Sequence, residues 1–246
     1  MGNYSFPPAI KQPSIIPYLV AGPNAPEFVK ECESVIDSEF NKNTHLKVLK
    51  LREVNDVQTT VGSNSLILPV VQRVAPNYRT GRPEDLQKTL NDGDTLSIKG
   101  NHYVDMGVVL DFTGRHHEMA LDFYNQLPKE LQDFERLPAV VVGYGLKNFD
   151  GGNYSLGLIM NDGTQVRPAK ILAGRSGKFS DADVSLETGL PSRLTDGNRT
   201  LYTATKNVSS LDNLGLSGLF LNRNLNINSS SGDLANSIEA GRVVLF

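Results

Sequence analysis

The sequence predicts an α+β, β-rich fold: antiparallel sheets, sandwich or barrel-like, with two or three short helices and an extended N-terminal arm. Three observations predict it. Six of the thirteen prolines lie in the first 26 residues, at Pro7, Pro8, Pro13, Pro17, Pro23 and Pro26. Proline fixes φ and pushes the residue before it toward extended backbone, so this stretch is neither an ordinary helix nor a central strand. Short β-type runs separated by turn residues recur over 46–75 and again from 137 onward, while helical spacing is confined to a few short stretches. The pattern divides the chain into an arm over 1–26, an α+β domain over 27–136 and an all-β domain over 137–246.

After the arm, Asn24 caps a helix in which Pro26 sits early, where its missing N–H is harmless, and Phe28, Cys32, Val35, Ile36 and Phe40 share one face. Buried there, Cys32 is a small apolar core residue without chemistry. Residues 46–51, 57–61 and 66–74 read as three strands of a meander, separated by Asn55-Asp56 and Gly62-Ser63-Asn64, with Pro69 placing the third at an edge or bulge. A short helix follows over 83–90, then strands over 95–99 and 102–112. A tight turn at Thr113-Gly114 leads into a helix carrying Met119, Ala120, Phe123, Tyr124 and Leu127, closed near Pro128.

From residue 137 the texture is all-β, with strands over 139–146, 154–160 and 164–173 joined by turns at Asp150-Gly151-Gly152 and Asn161-Asp162-Gly163. Residues 174–213 read as a long polar loop holding one strand over 200–205, a place for partner or ligand contact. Residues 219–228 alternate as a half-buried strand, and the apolar 242–246 belongs inside a sheet or against a neighbouring subunit.

Composition narrows the function. A formal charge of -3 and a pI near 5.8 lack the basic footprint of a nucleic-acid binder. One cysteine allows no internal disulfide and no cysteine-based zinc site, no apolar run is long enough for a membrane helix, and the first residues carry no secretion signal, so a cytoplasmic or virion setting is expected. Gly143-Tyr-Gly145 lacks the third glycine of a dinucleotide fingerprint; the oxygens of Asp181, Asp183, Ser185 and Glu187 lack the glycine and glutamate of a calcium loop; no nucleophile elbow and no Walker loop occur.

The one concentration of chemistry is His102, His116 and His117 with Asp105, Asp111 and Glu118. Asp111 at a strand end, facing imidazoles and Glu118 from the first turn of the next helix, is a workable divalent-metal or acid–base arrangement with His102 and Asp105 in support, although no His-Glu-x-x-His is present. Residues 114–117 also offer an anion site at a helix N-terminus. Metal candidates are therefore His102, Asp105, Asp111, His116 and His117; catalytic candidates are His116, His117, Glu118 and Asp111.

No cofactor is expected. The leading reading is a structural, non-enzymatic assembly protein, by architectural analogy a bacteriophage or viral particle component such as a capsid, decoration, tail or baseplate subunit. Its partners are protein subunits, copies of itself in a homo-oligomer or other particle components, gripped through the arm and strand edges. The alternative is a metal- or anion-dependent hydrolase centred on Asp111, His116, His117 and Glu118.

Overall fold

A computed structural model describes residues 20–54, 56–93, 103–111, 118–132, 137–151, 154–203, 215–237 and 240–246. The arm up to residue 19, the strand expected over 95–99, and His102, His116 and His117 lie outside the described residues.

Helix α1 (Ala25–Glu39) begins after Asn24 with proline in its first turn and buries Phe28, Val29, Cys32 and Ile36. Burial raises the Cys32 thiol to about 12, with Glu31 and Glu33 adding to the shift, so the side chain is an inert core group. Strands β1 (Lys50–Val54) and β2 (Val57–Val61) form an antiparallel hairpin closed by the pair Val54 and Val57. The far side of β2 is occupied by residues 20–22: Thr60 N donates to Val20 O at 2.7 Å and Gly22 N to Gln58 O at 2.8 Å.

The third meander strand is corrected: residues 68–74 form helix α2 (Leu68–Val74). Pro69 stands in its first turn, where no intrahelical N–H is needed, and Leu68, Val70 and Val71 are buried. A short apolar run does not by itself separate strand from buried helix, and here packing against α1 decides. Helix α3 (Pro83–Asn91) is as expected, its start fixed by Arg82 N donating to Asp85 Oδ2 at 3.3 Å.

Strand β3 (Tyr103–Leu110), helix α4 (Glu118–Gln126), β4 (Ala139–Val142), β5 (Gly145–Asn148), β6 (Leu156–Ile159), β7 (Gln165–Pro168), β8 (Gly177–Phe179), β9 (Arg199–Tyr202), β10 (Leu216–Leu221), β11 (Ile227–Ser231) and β12 (Gly241–Arg242) follow. Eight strands make one sheet in the order β7-β4-β3-β10-β11-β9-β8, with β12 beside β3. The protein is thus α+β with mainly antiparallel sheets. The sheet is open, so the barrel form of the expectation is not met; two of its pairings, β11 with β9 and β12 with β3, are parallel, and four α-helices stand among the described residues. Strand β3, from before residue 137, lies between β4 and β10, from after it.

The two faces of the sheet carry separate cores. Helices α1, α2 and α4 cover one face, meeting Val108, Leu110, Val141 and Leu216; the other face joins Val104, Met106, Val109, Leu219 and Leu221 to Leu86 of α3 and Phe179. Each large side chain so removed from water contributes about 1.5–3 kcal/mol.

Three further segments differ from the sequence reading. Residues 219–228 are not one strand: β10 and β11 flank a turn in which Asn222 Oδ1 accepts from Asn224 N at 2.9 Å and Asn226 N at 3.1 Å. The 174–203 stretch carries β8 and β9 and a 3-10 turn at Asp181–Asp183. There Asp183 accepts from Ser180 N and Oγ, Arg193 Nε and Thr195 Oγ1 at 2.5–2.9 Å, which holds its carboxyl well below the usual range. The apolar end stays on its own chain: Gly241–Arg242 pair with β3, and residues 244–246 bridge residues 79–81, with Arg79 N donating to Phe246 O and Phe246 N to Arg79 O, each at 2.9 Å, and Gly81 N to Val244 O at 2.8 Å.

Candidate functional site

Strand β3 carries a charge in an otherwise apolar run. A β-bulge determines where that charge points. Opposite β10, Leu219 pairs with Gly107 and Phe220 with Asp105, so Met106 is an extra residue. Gly107 takes φ +146, and a Cβ there would stand 2.5 Å from Val141 O, so only glycine fits the kink. The bulge flips the alternation: Val104 and Met106 enter one core, whereas Tyr103 and Asp105 join the face of Val108 and Leu110, at the end that no helix core fills.

A cleft of about 320 Å³ opens there. Asp105, Tyr103, Phe220 and Gly218 line it from the sheet, Ser65 and Leu234 from the connections, and Asn222, Arg223, Ser231, Asp233, Asn236 and Ala240 complete it. The Tyr103 and Phe220 rings meet edge to face at 5.8 Å between centroids.

The buried segment Ser63-Asn64-Ser65, read from sequence as part of a turn, is held by a polar lattice. Tyr103 Oη donates to Ser63 O and Tyr144 Oη to Ser65 O, each at 2.8 Å; Asn64 Nδ2 donates to His45 O at 2.9 Å and Ala235 O at 3.0 Å. Asp233 is placed by Tyr154 Oη and Ala235 N, which donate to its Oδ1 at 2.8 and 3.0 Å.

Against this satisfied frame, Asp105 is the exception. It is 6% exposed, and its Oδ2 has no hydrogen-bond partner. Burial pushes its carboxyl up to about 7; the neighbouring Ser63 hydroxyl offsets part of the shift, yet Ser63 Oγ itself completes no hydrogen bond. Burial, with Asp105 adding to it, also drives the Tyr144 phenol well above its ordinary value.

Of the sequence-selected residues, Asp105 therefore lines the cleft. Asp111 is half-buried just past β3, its N–H donating to Gly215 O at 2.8 Å, and Glu118 is exposed at the start of α4. The structure does not bring these two into the cleft lining, and His102, His116 and His117 are outside the described residues. No group of three or more His, Cys, Asp or Glu among the described residues is placed to hold a metal ion. Sequence reading missed Tyr103, Phe220, Ser63 and Asp233; the isolated carboxylate within β3 is the one signal that points to the cleft.

A second surface feature is the β1–β2 hairpin. All five residues of β1 are exposed, and among the described strands β2 is its partner. Leu51, Val54 and Val57 are 41%, 40% and 42% exposed, three of the seven large hydrophobic residues that stand in solvent among the described residues. No described helix is long and apolar enough to cross a membrane. Comparison with protein-family models, with curated proteins and with solved structures returns no match in any of the three.

Proposed function

We propose that this chain is a structural subunit of a repeating protein assembly, of the kind that builds a bacteriophage or viral particle, and that the tip of the β1–β2 hairpin is its docking element. The observation that carries the reading is the exposed pair Val54 and Val57 at the tip of the hairpin, with exposed Leu51 on the opposite face of the same ribbon. Apolar side chains exposed at a hairpin tip favour association over solvation.

Edge-to-edge pairing of two β1 strands is disfavoured. About a two-fold axis, a register centred on Arg52 sets Arg52 against its copy; one centred on Leu51 sets Lys50 against Arg52, and one centred on Glu53 sets Glu53 against itself. The edges of the eight-stranded sheet are guarded: Pro168 lies in β7, and Thr195 N already donates to Lys178 O of β8 at 2.8 Å.

A head-to-tail contact is favoured instead. Between β4, β7 and residues 170–191 lies a second cleft of about 290 Å³, with apolar Val140, Val142, Ile171 and Leu190 and basic Arg167 and Lys170 in its lining. Arg167 is paired with Glu84 at 3.0 Å, so Lys170 is the cation that meets Asp56 of the tip, while Val54 and Val57 match the apolar lining. Glu84 Oε2, buried in the same cleft without a partner, supplies an acceptor for an incoming backbone N–H. A contact between two different patches propagates into rings or filaments.

Mass by light scattering tests this. The intact protein is expected to be multimeric, and Val54→Asp/Val57→Asp and Lys170→Glu/Thr188→Glu variants monomeric. An equal mixture of the two variants is expected to form a dimer and nothing larger, because one competent tip meets one competent cleft. A monomeric wild type, or variants that remain multimeric, overturns the proposal.

A further inference from the structure

We propose that the cleft above β3 and β10 binds a small organic cation, a primary ammonium on an apolar or aromatic body, with the ammonium on Asp105 and the body against Tyr103 and Phe220. The site is independent of the hairpin, which lies outside the cleft lining.

The argument begins with the orphaned oxygen. Buried polar atoms are almost always hydrogen-bonded, so an unpartnered carboxylate oxygen on a side chain that lines a cleft marks the position of a missing group. The frame around it is closed: Ser63 and Ser65 carbonyls are taken by Tyr103 and Tyr144, and Ser65 Oγ donates to Gly107 O at 3.3 Å. The Ser63 hydroxyl beside the carboxyl is the neutral donor at hand, and it leaves the charge of Asp105 uncompensated.

Its charge follows from the lining, which holds two carboxyl groups, Asp105 and Asp233, and one guanidinium, Arg223. Arg223 is exposed, whereas Asp105 is buried, and no described cation pairs with Asp105. A neutral hydroxyl would satisfy one lone pair and leave the anion uncompensated; an ammonium supplies both donors and charge. Two aromatic rings beside the carboxyl add the electron-rich faces that organic cations favour. The volume of about 320 Å³ suits a small molecule.

The charged and titratable groups facing Asp105 are Tyr103 on its own strand, Tyr144 ahead of β5, and Asp233 and Arg223 across the cleft, with the Ser63 hydroxyl beside it. Ammonium binding requires the ionised carboxyl. With that group titrating at about 7, the ionised fraction falls about tenfold from pH 8 to pH 6, while simple amines stay protonated throughout.

Calorimetric titration with phenethylamine and n-butylamine, beside 2-phenylethanol and n-butanol, tests the site at pH 6 and pH 8. Both amines are expected to bind, about tenfold more tightly at pH 8, and the alcohols not at all. Asp105→Asn, near-isosteric and monitored for cooperative unfolding, is expected to abolish amine binding; Glu130→Gln, exposed and outside the cleft lining, retains it and its pH dependence. The proposal is overturned if neither amine binds at millimolar concentration, if alcohols bind as well as amines, if affinity is the same at both pH values, or if folded Asp105→Asn still binds.

Discussion

Replacing Asp105 by asparagine removes a buried titration from an otherwise apolar strand, and its effect on stability follows from one number. The folded carboxyl titrates at about 7 against an ordinary value of 3.8. Because the folded value is the higher, protonation favours the native state: this contribution is whole below pH 4 and is lost as pH rises through 7. The gap of about 3 units corresponds to about 4 kcal/mol at 1.36 kcal/mol per unit, an upper bound because the cleft admits water. Asparagine brings its own unmet amide, which costs about 1–3 kcal/mol in a buried site. The net expectation is a variant more stable than wild type by about 1–3 kcal/mol at pH 8, with the advantage gone or reversed at pH 4. Urea unfolding at half-unit steps from pH 4 to 8.5 reads this directly. Parallel stability curves for the two proteins would refute the reasoning, since the difference must grow with pH if Asp105 is the buried titrating group.

Three other outcomes follow from the same physics. Arg199, buried over the Phe179 ring at 4.8 Å and donating to Gln87, Asp181 and Leu225 O, ties β9 to α3 and the 222–226 turn, so Arg199→Ala is expected to lower stability by about 2–4 kcal/mol in denaturant unfolding; a loss under 0.5 kcal/mol counts against the tie. The Ser180 hydroxyl, then Arg193, the Ser180 N–H and Thr195 hold the Asp183 carboxyl low, so its stabilisation is present above pH 4 and disappears as pH falls further; Asp183→Asn should flatten the drop in melting temperature between pH 5 and 3, and an unchanged drop refutes the assignment. Deleting residues 243–246 strips buried Val243, Val244 and Leu245, about 5 kcal/mol or more of apolar burial, which is comparable to the whole stability of a typical domain. Dispersed amide resonances in the truncated protein would show that this segment is dispensable.

The elements legible in the sequence are those whose ends carry their own chemistry. Pro26 marks α1, where Asn24 stands at the start without the expected side-chain cap; Pro83 marks α3, and Asp162-Gly163 marks the turn before β7. The misread segment over 66–74 has no such local signature: Leu66-Ile67-Leu68 and Val70-Val71 fit a strand as well as a helix, and contact with α1, some forty residues away, decides. The same holds for the cleft. Ser63, Asp105, Phe220 and Asp233 meet through β3–β10 pairing and through long-range hydrogen bonds such as Asn64 to Ala235, none of which leaves a spacing to read. Asp105 enters the sequence reading only as a supporting metal ligand beside His102; the feature that marks its place in the cleft is a carboxylate inside Val-Asp-Met-Gly-Val-Val, which contradicts its neighbours.

The placement of β3 constrains the order of events during synthesis. Its flanking strands are drawn from about residue 140 on one side and about residue 218 on the other, and the short parallel strand that lies against its start arrives only at residue 241. A ribosome must therefore release about 220 residues before β3 has neighbours on both sides, and non-local pairing of this sort is slow. In the interval a valine-rich ribbon is bare in the cell, so we expect yields to depend on chaperone supply more than on the strength of the finished fold.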